Sequence, residues 1–174
     1  MPGTRRIVGA ARKGLALLVG GFLWLGGGSG GLVSPARAAP PGDACALLTP
    51  AGIGAAVGVE VGAGEYVPPT FKRTCTWTAG DHGAKGVVYV TLLLMDASKY
   101  EAGKQMAQMM AKVLTITPAS GIGEDAYYST MRTATGLLVK KGDLSFKIEI
   151  YGTMPVDAKE AAERKLAREI ITGY

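Results

Sequence analysis

The chain has 174 residues, 48% of them hydrophobic, with 19 basic and 14 acidic residues, one histidine and two cysteines. Its formal net charge of +5 comes from Arg5, Arg6, Arg12, Lys13 and Arg37, which all precede residue 39, and the remainder holds fourteen residues of each sign. Nucleic acid is therefore not implied as a partner, and two cysteines with one histidine fall short of a zinc-ligand set.

The first predicted element is a targeting segment. Basic residues as far as Lys13 precede an apolar run from Gly14 to Leu25, and a small-residue stretch ends in Ala36-Arg37-Ala38. These are the n-region, h-region and A-x-A site of a secretory signal peptide, with cleavage after Ala38. Residues 1–38 are read as signal and residues 39–174 as a single domain, located in the periplasm or outside the cell. No stable membrane anchor is expected after cleavage. Two competing readings are an uncleaved anchor, since no charge stands between Lys13 and Arg37, and twin-arginine export through Arg5-Arg6.

Cys45 and Cys75 come next. An even cysteine count in an exported chain reads as one disulfide, and closing that loop contributes about 3–4 kcal/mol. Lipidation of Cys45 would require a small or aliphatic residue where Asp43 stands. Thr49 and Pro50 then suit the N-cap and first position of a short helix, which Gly58 stops.

TPAGIG at Thr49–Gly54 returns as TPASGIG at Thr117–Gly123. Neither run fits a phosphate loop. The first lacks a preceding buried strand, and the second meets Glu124 and Asp125 where an anion would sit. The second run is expected to be a turn into a strand at Ala126–Tyr128. Adjacent carboxylates on a strand point to opposite faces, which disfavours a general acid–base pair there.

Arg73–Ala79 is predicted as a strand with Cys75 and Trp77 on one face, followed by a turn at Gly80–Gly83. Val87–Met95 is apolar on both faces and is placed centrally in a sheet. A helix follows to about Leu114, with Ser98 and Glu101 spaced as a capping box. Leu137–Lys140 and Leu144–Ile150 form a hairpin. Its second strand sets Leu144, Phe146, Ile148 and Ile150 against Ser145, Lys147, Glu149 and Tyr151, so one face is wet. Asp157 and Glu160 open a last helix with Ala158, Ala162, Leu166 and Ile170 inside and a Glu160–Arg164 pair outside. The fold class is α+β: an antiparallel twisted sheet of about five or six strands, with a short N-terminal helix, a central helix and a C-terminal helix packed on it. The central and C-terminal helices are expected on one face, leaving the other for contact.

Two sets of residues invite a function. The wet strand face offers Lys147, Glu149 and Tyr151, mixed in charge and suited to a protein partner or polar ligand. The central helix carries Met106, Met109 and Met110, whose thioethers would select Cu(I). The competing reading packs Tyr100, Met106, Met110 and Val113 as a core stripe, and that reading is preferred. No nucleophile–base set assembles around His82, so no catalytic residue is assigned and no cofactor is implied. The function expected is a non-catalytic envelope module that binds a protein or small ligand. A Met-rich Cu(I) or other metal protein is the alternative, and an enzyme of unrecognised class is a further one.

Asp43-Ala44-Cys45-Ala46-Leu47-Leu48-Thr49, the helix ending at Gly58 and Cys75-Thr76-Trp77 resemble a D-x-C-x-L-L-T … G … C-x-W pattern. It is found in a group of small bacterial envelope proteins of unknown function, many of them actinobacterial lipoproteins. Gly121–Tyr128 resembles a later turn in the same group. The resemblance implies an exported α+β domain with the two cysteines bonded, and it implies no activity. The chain departs from the lipoprotein members in lacking a convincing lipobox.

Overall fold

A computed structural model describes residues 42–80 and 86–173. The expected export segment with its expected cleavage after Ala38, and residues 81–85 with His82, lie outside the described residues.

The described residues open on an anchored turn. Asp43 accepts a hydrogen bond from the Cys45 amide and starts a 3-10 turn at Ala44–Ala46. Both Asp43 oxygens also receive the Tyr66 hydroxyl, at 2.9 Å each. α1 (Pro50–Val57) follows the expected local chemistry. The Thr49 hydroxyl accepts from the Gly52 amide at 3.0 Å, and Gly58 closes the helix at φ 77°.

The remaining elements are β1 (Glu65–Tyr66), β2 (Thr74–Ala79), β3 (Val88–Asp96), α2 (Ser98–Met109), β4 (Thr115–Pro118), β5 (Asp125–Thr130), β6 (Ala134–Lys141), β7 (Leu144–Tyr151) and α3 (Val156–Gly173). The strands form one antiparallel sheet in the order β1-β2-β3-β7-β6-β5-β4. β3 and β7 pair along their whole lengths near the middle, from Tyr89 opposite Tyr151 to Asp96 opposite Leu144. That central place explains why β3 is so apolar. The α+β class holds, with seven strands among the described residues rather than five or six. The added strands, β1 and β4, are the two short edges.

The TPA runs have different fates. Thr49-Pro50 opens a helix, while Thr117-Pro118 ends an edge strand. After the second run, Gly121 (φ 75°) and Gly123 (φ 60°) turn the chain around the buried Ile122 and into β5. The likeness marks two separate starts and stops of structure.

Alternation gives the sheet two different faces. Cys75, Trp77, Val90, Leu92, Phe146, Ile148, Ile150, Leu137 and Val139 point to one of them, where Ile53 and Val57 of α1 and Leu166, Ala167 and Ile170 of α3 cover them. This is the main core. The Cys45–Cys75 disulfide lies in it, with Cα atoms 5.1 Å apart, and ties the N-terminal turn to β2. Backbone fills the space beside it. A Cβ on Gly64 would lie 2.5 Å from the Trp77 ring nitrogen and 2.7 Å from the Cys75 sulfur. Gly64→Ala is therefore expected to destabilise the protein by about 1–3 kcal/mol, read as a lower urea midpoint at unchanged slope.

α2 departs from expectation three times. It packs on the opposite face from α3, where Tyr100 and Ala107 meet Tyr127 and Leu138. Neighbours Tyr127 and Tyr128 show the division: the first is in the α2 cluster and the second in the main core. The helix ends at Met109, well before Leu114, because the chain must turn to enter β4. Its N-cap is Ala97, and no side-chain capping bond forms, so the Ser98–Glu101 box is absent.

Candidate functional site

The α2 side of the sheet combines a covered part with an open one. Pairing registers set out its rows. Thr78, Tyr89, Tyr151 and Ala134 lie side by side across four strands, and Thr76, Thr91, Glu149 and Gly136 form the next row. Thr74, Leu93, Lys147, Leu138 and Tyr127 follow, with α2 over the last two. Thr76 and Thr91 join hydroxyls at 3.0 Å. Tyr89 and Tyr151 keep 42% and 37% of their surface exposed.

The expected wet residues Lys147, Glu149 and Tyr151 do share this face. They are not equally free. The Lys147 ammonium bonds the Glu149 carboxylate at 2.8 Å, and both side chains are mostly enclosed. Gly136 makes this possible, because a Cβ there would lie 2.7 Å from the Lys147 Cε. The lysine stem runs over bare backbone.

Where α2 meets the sheet, a cleft of about 240 Å³ opens between Met106 and Ala107 of α2 with its C-cap Met110 on one side and Tyr127, Ser129, Leu138 and Lys147 of the strands on the other. Met131, just beyond β5, joins them. The preferred core reading of the methionines is overturned: Met106, Met109, Met110 and Val113 are 61%, 79%, 46% and 67% exposed. The buried stripe of α2 is Tyr100 and Ala107, flanked by the half-buried Gly103 and Lys104. Of the candidate metal set, Met106 and Met110 line the cleft and Met109 does not. Met131 escaped sequence reasoning because only the sheet brings it to the helix.

Beside the cleft, Tyr100 and Tyr127 meet edge to face at 5.6 Å between centroids. Neither hydroxyl has a hydrogen-bond partner of sound geometry. Burial raises both pKa values, Tyr127 to about 12, and the nearby Asp125 carboxylate adds to each rise. Asp125 itself is held below the usual carboxylate range by a 2.7 Å hydrogen bond from Lys104, whose ammonium also lies 5.8 and 5.9 Å from the two ring centroids.

A second ionisable group lies under α3, on the core side. Glu163 is fully buried and accepts a 2.7 Å hydrogen bond from the Thr135 hydroxyl. Its other oxygen has no hydrogen-bond partner among the described residues. Burial pushes its carboxyl up to about 8, against the pull of hydrogen bonds from the Thr135 hydroxyl and the Ile150 backbone. Lys159, one turn earlier, is enclosed and donates to the Thr133 carbonyl at 2.8 Å; burial lowers its pKa, and Glu163 opposes that shift. The expected Glu160–Arg164 pair is replaced by other contacts. Arg164 bonds the Ser120 carbonyl at 2.9 Å and lies 5.8 Å from the Tyr128 ring centroid. Glu163 is a perturbed carboxyl in closed packing, with no surface a substrate could touch.

His82 lies outside the described residues, and no group of three or more His, Cys, Asp or Glu residues suited to a metal occurs among the described ones. No helix of the described residues is long and apolar enough to cross a membrane. Comparison with protein-family models, curated proteins and solved structures found no match to this chain.

Proposed function

We propose that the protein is an exported, non-catalytic envelope module that docks a protein partner on the open part of its α2-side sheet face. One observation carries this reading: Tyr89 and Tyr151 are exposed, adjacent and in register beside rows of threonine hydroxyls. Tyrosine offers large contact area at low entropic cost and is enriched among residues that dominate binding. The Lys147–Glu149 pair leaves the patch locally neutral. A flat partner of balanced charge, with groups to bond the threonines, fits it better than a polyanion or a membrane. The buried disulfide supports the exported setting, since such bonds persist in oxidising compartments.

A photo-crosslinking side chain at Tyr89 should capture one discrete species in the native envelope. Purified wild-type protein should compete for it, and Tyr89→Ala/Tyr151→Ala should not. That double variant should stay folded while losing about 1–3 kcal/mol, since each ring keeps more than half of its surface covered. Equal competition by the variant would place the docking surface elsewhere. Lys147→Ala is the wrong probe, because it strips Glu149 of its partner in a mostly enclosed site and should cost about 1–3 kcal/mol by itself.

A further inference from the structure

We propose that Met106, Met110 and Met131 form a Cu(I) site in the cleft between α2 and the sheet. The inference is independent of the partner surface.

The first support is placement. An α-helix turns about 100° per residue, which sets Met110 about 60° and Met106 about 100° to one side of Ala107, the centre of the buried stripe. Met109 falls about 160° away from Ala107. The Met110 amide bonds the Met106 carbonyl at 3.2 Å, so the two sit on successive turns. Both line the cleft, and Met131 lines it from the strand side. Three methionines, from α2, its C-cap and the residue after β5, thus border one space of about 240 Å³.

The second support is the donor set. Among the described residues, the cleft lining holds no carboxylate, imidazole or thiol. Hard cations seek oxygen ligands, and zinc seeks nitrogen or thiolate, so neither finds a set here. Soft thioethers select Cu(I). The chain has only two cysteines, and both are in the disulfide, so methionine is its available soft donor. Lys147, the one cation among the described lining residues, is already paired with Glu149 and adds little repulsion.

The third support is exposure. Met106, Met110 and Met131 keep 61%, 46% and 39% of their surface in solvent, so an ion can reach them without unfolding anything. Coordination of three neutral thioethers also leaves the ion's single positive charge near solvent, where it costs little.

The test uses the whole exported protein carrying carbon-13 methionine methyl groups. Ag(I), a redox-inert stand-in, is added first, and Cu(I) under reductant follows. One equivalent should shift the methyls of Met106, Met110 and Met131 together and leave Met109 and Met154 in place, while Zn(II) shifts none of them. In competition with a chromogenic Cu(I) chelator, Met131→Leu should weaken binding at least tenfold and Met109→Leu should not. Met106→Leu serves as a second variant, and circular dichroism checks that each remains folded. Absence of shifts at stoichiometric silver overturns the site, as does unchanged affinity in Met131→Leu. A response to an apolar dye but not to silver would make the cleft a seat for apolar ligands and the metal proposal wrong.

Discussion

Raising the pH from 4.5 to about 8 should lower the unfolding free energy of this protein, and Glu163→Gln should remove most of that loss. The cause is the difference between two titrations. In the unfolded chain the carboxyl releases its proton near 4.5; in the fold, burial holds the proton until about 8. Between these values the folded state binds more protons than the unfolded one, so stability falls as pH rises. The stabilisation is complete below 4.5 and gone above the folded value. At 1.36 kcal/mol per unit, the window sets an upper bound of about 5 kcal/mol, which relaxation around α3 would reduce. Lys159 acts in the other sense. Its lowered pKa means that the unfolded state holds the extra proton as pH approaches 10.5, so its contribution rises with pH on the alkaline side. Urea unfolding of both proteins across the acidic-to-neutral range checks the result. Parallel slopes in wild type and variant would clear Glu163 of the effect.

Loss of the disulfide should be comparably severe. Cys75→Ser is expected to cost about 3–5 kcal/mol, in the range for a native disulfide removed from a small exported domain. Two terms combine. Opening the loop frees the unfolded chain, and a serine hydroxyl replaces sulfur at a position with no exposure, between Trp77 and Gly64. Cys45→Ser should lose less, since Cys45 is only half-buried and a hydroxyl there can reach water. Comparing the variants with reduced wild type separates the terms. Thiol labelling of the unfolded, unreduced protein should find no free cysteine; two labelled thiols would remove the bond from the account.

Features legible in the sequence are those set by near neighbours. Thr49, Pro50 and Gly58 bound α1 through contacts within a few residues. The alternation of Leu144 to Tyr151 fixed the faces of β7 because a strand repeats every two residues. β1 and β4 were not legible. Two and four residues carry no usable period, and each exists only because a longer strand lies beside it. Nor could periodicity say which side of the sheet α2 would take, since a helical stripe is the same on either side. Of the expected stripe only Tyr100 faces inward, with Ala107, while the more apolar Met106, Met110 and Val113 stay outside. Glu163 and Lys159 were missed despite a signal. They complete the i, i+3, i+4, i+7 pattern with Ala162 and Leu166, which put both on the buried face; their charge had argued against it.

The sheet ends in two poor templates. β1 offers two residues before Val67-Pro68-Pro69, and β4 offers four, the last being Pro118. Proline cannot donate to a ladder, and so short a rim cannot align an incoming strand. Edge-to-edge polymerisation, the usual hazard of a free antiparallel sheet, is thereby blunted at both sides. The same feature disfavours strand addition as a mode of recognition. A partner is left to grip this molecule mainly through side chains.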